Sequence, residues 1–441
     1  MTLESDVLKE IKSSPAQDRK VSTLAAELSD EVAKVSQKLG LHVEPMLVGS
    51  VAKGTQLKDP DIDLFMLFPE STPMEELKEK GLEIGRNIID GREHYAQHPY
   101  VRGMYKGFQV DLVPCFRIRD TRSKMSAVDR TPFHTEFVKK HLKKGEADQV
   151  RLLKRFMKGI ECYGAEAKVQ GFSGYLCELL VMRFGSFNGV LEAASRWTVG
   201  QALELPGYEG KEFSEPLTFV DPVDSSRNVA SAVATETLLR FVLASREYLR
   251  RPDRKFFFPA VVEAWSAATI RERVGKRLGN LVSVTFPKLD LIDDVVYPQL
   301  RKSLVNMAAL LERADFEVEK TTIHVDGLTH LLIELSSVTL PKERKHRGPP
   351  VNSENASDFL SKWNSLGMSA PYIDGGRWYV MVRREFERAD DLLRAKASEV
   401  PLGKDVKKQG GLEFESGKEL LGEKHFAALT HHFDERMPWQ R

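Results

Sequence analysis

Two acids open an apolar run: Asp61-Ile62-Asp63-Leu64-Phe65-Met66-Leu67-Phe68. Residues 62–68 read as a buried strand, and side chains two apart on a strand share a face. Asp61 and Asp63 therefore project together from the strand's start. A later apolar stretch, Val110-Asp111-Leu112-Val113, carries a third acid. If the two strands pair side by side, three carboxylates converge. Carboxylates forced together repel, and one stays protonated unless a cation sits between them. Magnesium suits an oxygen-only site that also keeps water and phosphate ligands. Such a ligand set serves two-metal phosphoryl transfer. Upstream, Gly49 lets backbone approach a phosphate, and Ser50 can donate a hydrogen bond to one. An acid-x-acid pair alone is more often a solvated strand edge, and Gly-Ser alone says little. Their order, with the third Asp inside an apolar run, carries the reading. Asp59 is a rival ligand, ranked lower because Pro60 breaks the alternation.

The chain has 441 residues, with 65 Lys and Arg against 64 Asp and Glu, for a formal net charge of +1. That balance excludes a histone-like polycation but not a basic stripe offset by acid elsewhere. The length gives a prior of about three domains. With 41% apolar and 29% charged residues, wholesale disorder, collagen-like repeats and coiled coil are excluded. Cys115, Cys162 and Cys177 lack CxxC spacing and read as inert buried thiols in a reducing cytoplasm. No run approaches the roughly 18 apolar residues that span a bilayer; residues 176–184 are interrupted by Glu178 and Arg183. The polar N-terminus does not resemble a signal peptide, so a cytoplasmic location is expected. Phosphate-loop, dinucleotide, zinc-helix and GxSxG nucleophile patterns are all absent from the sequence.

Spaced aliphatics over residues 1–44 predict amphipathic helices divided at Pro15. A helix is expected over 74–91 and strands over 94–105 and 109–113, with Pro114 ending the last. Residues 146–248 read as mostly helical, with Val150, Leu152, Leu153, Phe156 and Met157 on one apolar face and Ser173 as a helix N-cap. A domain boundary is expected at residues 251–255. Farther on, strand 281–286, helix 297–313, strands 316–325 and 330–337, helix 357–366 and strand 377–384 follow a βαββαβ, ferredoxin-like order. The aromatic stacking motif of RNA-recognition sheets is missing.

Longer blocks narrow the comparison. They are Gly49-Ser50-Val51-Ala52-Lys53, His98-Pro99-Tyr100-Val101, Val110-Asp111-Leu112-Val113-Pro114-Cys115 and Ser126-Ala127-Val128-Asp129-Arg130-Thr131-Pro132-Phe133-His134. Further along stand Arg151-Leu152-Leu153-Lys154, Tyr163-Gly164-Ala165-Glu166, Gly171-Phe172-Ser173-Gly174-Tyr175-Leu176-Cys177-Glu178, and Val220-Asp221-Pro222-Val223-Asp224 with Arg227-Asn228. The Gly-Ser and Asp-x-Asp pattern resembles the polymerase-β nucleotidyltransferase superfamily. Together, over residues 45–300, the blocks resemble the archaeal (class I) CCA-adding enzymes, tRNA nucleotidyltransferases. The resemblance implies a multidomain α+β fold. A polymerase-β-type nucleotidyltransferase head (residues 1–148) is followed by a helical neck (149–256) and a ferredoxin-like α/β body and tail (257–441). It implies addition of C-C-A to tRNA 3′ ends from CTP and ATP, without a nucleic-acid template, using Mg2+.

By the same resemblance, Asp61, Asp63 and Asp111 are the metal-binding catalytic carboxylates. Ser50, Lys53, His134, Lys154 and Tyr163 are nucleotide contacts, and Arg227 helps read the incoming base. Relatives often have Arg where Lys53 stands and Glu where Asp61 stands. The first change gives up a bidentate clamp, and the second shortens the ligand by one methylene.

Taken residue by residue, blander readings stand beside these. Lys154 is one cation among several on its helix, Tyr163 could be a packed aromatic and His134 a loop histidine. Arg227 has Asp221 and Asp224 as local ion-pair partners. Two basic clusters suit tRNA backbone contact: Arg271, Arg273, Lys276 and Arg277, and Lys342, Arg344, Lys345 and Arg347. A poly(A) polymerase or other nucleotidyltransferase, and a non-catalytic RNA-binding protein, are the alternatives. The sequence leaves the oligomeric state open, a homodimer included.

Overall fold

The computed structural model describes residues 2–95 and 99–441; His98 of the Pro99-Tyr100 block lies outside them. The chain divides into two compact units, Met1–Val261 with Arg436–Arg441, and Val262–Glu435.

The first unit opens with helices α1 (Leu3–Ile11) and α2 (Pro15–Lys38). Ser14 caps α2 by accepting from the Gln17 amide, and Pro15 occupies the first turn, where no amide donor is needed. Then come β1 (Glu44–Leu47), the short helix α3 (Gly49–Lys53), β2 (Ile62–Pro69), α4 (Met74–Ile88), β3 (Asp90–Tyr95), β4 (Pro99–Tyr105) and β5 (Phe108–Arg117). The sheet order is β1-β2-β5-β4-β3, with β2 and β5 parallel and the other pairs antiparallel.

Both faces of β2 are covered. Ile62, Leu64, Met66 and Phe68 pack with α2 and α4, while Phe65 and Leu67 pack with Val48, Val113 and Cys115 on the other side. Each such side chain contributes on the order of 1.5–3 kcal/mol. That explains a continuous apolar run in place of clean alternation.

Three expectations differ from the structure. The one strand expected over 94–105 is two, β3 and β4, paired antiparallel, so that His94 lies across from Tyr100. Two boundaries also move. α4 stops at Ile88 because Asp90 and Gly91 enter β3, where Gly91 faces Gly103 across the ladder. β5 runs through Pro114 to Arg117. Among the described residues the pairing of β4 with β5 extends no further than Val101 and Leu112, two residues short of Pro114, so no described ladder bond on that side is broken by the proline.

The unit continues with α5 (Thr131–His141), α6 (Glu146–Gly159), α7 (Gly174–Phe184), α8 (Phe187–Ala194), a small sheet of β6 (Gln201–Leu203), β7 (Leu217–Asp221) and β8 (Asp224–Asn228), and α9 (Thr235–Arg250). Ser173 caps α7 as expected, accepting from the Leu176 amide at 3.1 Å. The helical core is aromatic: Phe156 meets Phe187, Phe256 and Phe257 at centroid distances of 5.4, 5.8 and 5.6 Å. Because Phe256 and Phe257 are buried there, the unit extends past residues 251–255. The C-terminus also returns to this core, with Trp439 stacked on Phe256 at 5.3 Å. Cys115, Cys162 and Cys177 are buried free thiols.

The second unit contains α10 (Ala267–Leu278), β9 (Leu281–Pro287), α11 (Asp293–Arg313), β10 (Val318–Val325), β11 (Leu328–Leu335), β12 (Glu343–Pro350), α12 (Ala356–Leu366), β13 (Tyr372–Asp374), β14 (Arg377–Arg383), α13 (Ala389–Lys396), α14 (Lys404–Gln409), β15 (Glu413–Ser416) and α15 (Phe426–Phe433). The four-stranded antiparallel sheet has the order β10-β11-β9-β15. This is the ferredoxin-like order, but its second helix and last strand are α13 and β15. The expected occupants, α12 and β14, belong to an insertion with its own sheet, β12-β14-β13. β15 is four residues long and alternates Glu with Phe and Ser, too short and polar to stand out, whereas β14 is rich in β-branched and aromatic residues.

Candidate active site

The parallel register of β2 and β5 sets Asp63 beside Asp111. Across β5, the ladder partner of Asp111 is Arg102 on β4. Arg102 donates through Nε and Nη2 to the two Asp111 oxygens, each at 2.6 Å. Asp61 stands one residue ahead of β2, on the face that Asp63 shares. Burial, then the charges of Asp111 and Asp61, push the Asp63 carboxyl up to about 7, against the pull of Arg102 and Lys53. Burial also raises Asp61; Arg102 lowers it and Asp111 raises it. The carboxylates thus repel one another as the spacing predicts. Asp59, the rival, adopts a left-handed φ of 58° and accepts from Gln17 Nε2 at 2.7 Å.

Gly49 explains how this crowding is tolerated. Its φ is +69°, and a Cβ there would come within 1.9 Å of Asp63 Oδ2. Only glycine permits both the turn and the approach. α3 follows directly and carries Ser50 and Lys53.

A cavity of about 390 Å³ opens here. Gly49, Ser50, Lys53, Asp59, Asp61 and Asp63 line one side, and Lys154, Lys158, Tyr163, Tyr175 and Glu178 the other. The two sides are joined through Glu178, which is fully buried. Lys53 Nζ donates to its Oε2 at 2.6 Å, and Lys154 Nζ to its Oε1 at 3.2 Å. The Thr55 hydroxyl also donates to Oε1, at 2.5 Å. Burial would raise the Glu178 pKa, but Lys154 and Lys53 hold it below the usual carboxylate range. Burial lowers that of Lys154, which Glu178 opposes. Lys154 is therefore a buried cation facing the cavity, not part of a solvated helix face. Two lysines against one carboxylate leave one positive charge there. Tyr163 lies under Lys158, whose Nζ is 5.3 Å from the ring centroid.

His134 and Arg227 do not line this cavity. They meet at Asp221: His134 Nε2 lies 2.9 Å from Asp221 Oδ2, and Arg227 Nη1 donates to that oxygen at 2.9 Å. The Tyr175 hydroxyl donates to Oδ1 at 3.2 Å. Tyr175 stacks on His134 at 4.1 Å and faces Lys53 at 5.7 Å, linking this cluster to the cavity. The preceding block is folded by buried Asp129, which accepts from the amides of Phe116, Met125 and Ser126.

Three site residues escaped the sequence reading of single positions. Glu178 is a lone acid inside the apolar run of α7, which was its signal. Asp221 was named only as an ion-pair partner of Arg227, a pairing the structure has, and not as a site residue. Arg102 becomes visible only through the β4–β5 register.

Among the described residues, no three His, Cys, Asp or Glu groups are closed around one point; both oxygens of Asp111 are engaged by Arg102. The donor chemistry nevertheless fits a hard divalent cation. Three carboxylate side chains share one face, and ionising Asp63 is unfavourable without added positive charge.

The expected tRNA contacts divide. Arg271, Arg273 and Lys276 are exposed on α10. Arg277 is instead bound bidentately by Glu334, at 2.7 and 2.9 Å, and also by Glu435 at 2.9 Å. In β12, Lys345 and Arg347 share the exposed face while Arg344 points to the opposite one. Lys345 pairs with Asp374, and Lys342 is exposed just before the strand.

A nucleotidyltransferase domain family model matches residues 29–134, which hold Ser50, Lys53, the three aspartates and His134. The second domain of tRNA nucleotidyltransferases matches residues 148–258, which hold Lys154, Tyr163, Glu178, Asp221 and Arg227. The C-terminal domain of CCA-adding enzymes matches residues 277–416. The CCA-adding enzyme of Methanosarcina acetivorans is 40% identical over 94% of this chain and 93% of its own. The chain belongs to the CCA-adding enzyme family. Other members are similar over comparable lengths. The CCA-adding enzyme of Methanothermobacter thermautotrophicus is 38% identical, covering 94% of this chain and 92% of its own. That of Thermoplasma acidophilum is 37% identical over 91% of each.

Proposed function

We propose that the cavity beside Asp61 and Asp63 is where this chain carries out its family's reaction, CCA addition to tRNA from CTP and ATP. The observation that carries the reading is the register pairing of Asp63 with Asp111, beside a cavity that also presents Lys53 and Lys154. The RNA 3′-hydroxyl attacks the nucleotide α-phosphate, and pyrophosphate leaves. Asp61, Asp63 and Asp111 would hold Mg2+, which would supply charge neutralisation for the reacting phosphate. Asp111, oriented by the Arg102 fork, stands to take the hydroxyl proton. Lys53 and Lys154 are fixed by Glu178 and set positive charge against the β and γ phosphates, with Ser50 donating a hydrogen bond. Tyr163 borders the nucleotide. Arg227 and His134, oriented by Asp221, face the incoming base. Fixed charge and in-line positioning supply most of the acceleration. The enzyme acts in the cytoplasm, on tRNA.

The test is single substitution of each carboxylate by its amide. Asp61→Asn, Asp63→Asn and Asp111→Asn should each reduce CTP incorporation on the order of a thousandfold, with tRNA affinity within about twofold of the parent protein. A variant that keeps a tenth of the rate would remove that carboxylate from the proposed role.

A further inference from the structure

We propose that a basic pocket in the second unit binds a phosphate group. The end of α11, strands β12 and β14 and helix α13 enclose a cavity of about 280 Å³. Arg313, Arg344, Arg383, Arg384 and Lys396 line it, with Glu385 as the one acid in the wall. Phe386 and Leu392 supply part of an apolar floor.

The cations fall into two groups. Arg384 Nη1 donates to the Ala314 carbonyl at 3.1 Å and to Asp315 Oδ2 at 2.6 Å, which fixes its guanidinium at the end of α11. Arg344 lies 3.5 Å from the same Asp315 oxygen, and Lys396 pairs with Glu385 at 2.8 Å. Arg313 and Arg383 have no acidic partner among the described residues. Glu343 stands opposite Arg383 in the ladder, but no ion pair joins them. Five cations against Asp315 and Glu385 leave three positive charges around one small concavity.

One donor inside the cluster is unsatisfied. Arg384 Nε is buried with no acceptor, although its side chain is only 12% exposed. Buried donors without partners are uncommon and often mark a bound ion or water. Four arginines lining one space suit a tetrahedral oxyanion, which several forks can engage at once. A phosphate is the ligand that matches this charge and geometry. It can come from a backbone phosphate of tRNA, which rests on the function proposed above, or from a free phosphate compound.

The experiment uses the full chain and the double variant Arg313→Gln/Arg383→Gln, whose two sites are exposed and unpaired. Thermal melts check that it folds. Inorganic phosphate is titrated calorimetrically into both proteins. tRNA affinity is measured by anisotropy at several salt concentrations. The parent protein is expected to show a phosphate-binding event that weakens at least tenfold in the variant. If the ligand is tRNA backbone, tRNA affinity also falls, and the log–log salt slope shrinks by about one or two. If it is a free phosphate compound, tRNA affinity stays constant while the phosphate event is lost. Phosphate and tRNA binding both unchanged in the variant would overturn the pocket. CCA addition by the parent protein is scored in parallel. Its absence would count against the proposed function, whereas unchanged binding in an active enzyme counts against the pocket alone.

Discussion

Asp63 stores unfavourable charge energy, and its removal should show this. Its carboxyl moves from an ordinary 3.8 up to about 7 because it is buried and stands beside Asp111 and Asp61. At pH 8, holding it ionised in the folded chain costs about 4 kcal/mol relative to the unfolded chain. The sign follows from a raised acid pKa. Below 3.8 both states are protonated and the penalty is absent. It grows as pH rises and is complete above about 7. Asp63→Asn should therefore stabilise the protein by on the order of 2–4 kcal/mol at pH 8, and by only about 1–2 kcal/mol at pH 5. The assay is urea unfolding in EDTA at both pH values, with the slopes compared to confirm one transition. Adding a divalent cation should stabilise the parent protein more than the variant and narrow the gap. A variant less stable than the parent at pH 8, or an equal change at both pH values, would refute the electrostatic account.

Other sites give sharper functional signatures. Glu178→Gln leaves Lys154 buried without its counter-charge; stability should fall by about 3–5 kcal/mol, and KM for CTP should rise about tenfold, read from urea melts and steady-state rates. Gly49→Ala puts a Cβ 1.9 Å from Asp63 Oδ2, so incorporation should fall on the order of a hundredfold, while circular dichroism shows an intact fold. Arg102→Met removes a cation beside the carboxylates; Mn2+ affinity measured by EPR should rise while the addition rate falls, and weaker Mn2+ binding would contradict the placement of Arg102. Trp439→Ala strips the aromatic stacked on Phe256, and about 3 kcal/mol of unfolding free energy should be lost.

The head was largely legible because its chemistry follows strand periodicity. Asp61 and Asp63 could be placed on one face from spacing alone, and Asp111 joins them through the parallel register of β2 and β5, a pairing that the sequence reading had to assume. Arg102 could not be found this way, since its partner depends on where the β4–β5 hairpin sets the ladder. Taken alone, Lys154 read as a surface cation, and only the resemblance made it a nucleotide contact, because sequence shows a helix's charges but not what covers them; Glu178 and Thr55, distant in sequence, cover it. Similarly, Arg277 read as RNA-facing until β11 and the segment after α15 supplied Glu334 and Glu435. In the second unit the strand order was recognisable, yet β-propensity favoured β14 over the short, charged β15. Pairing with β9 is a backbone property that composition did not announce.

The most direct measurement follows single-nucleotide growth of a tRNA transcript that ends at its discriminator base. Purified protein with magnesium should add two nucleotides from CTP alone and three from CTP with ATP, then stop, and Asp61→Asn should add none. Long A tails, or no extension by folded protein with magnesium and both nucleotides, would contradict CCA addition at this site.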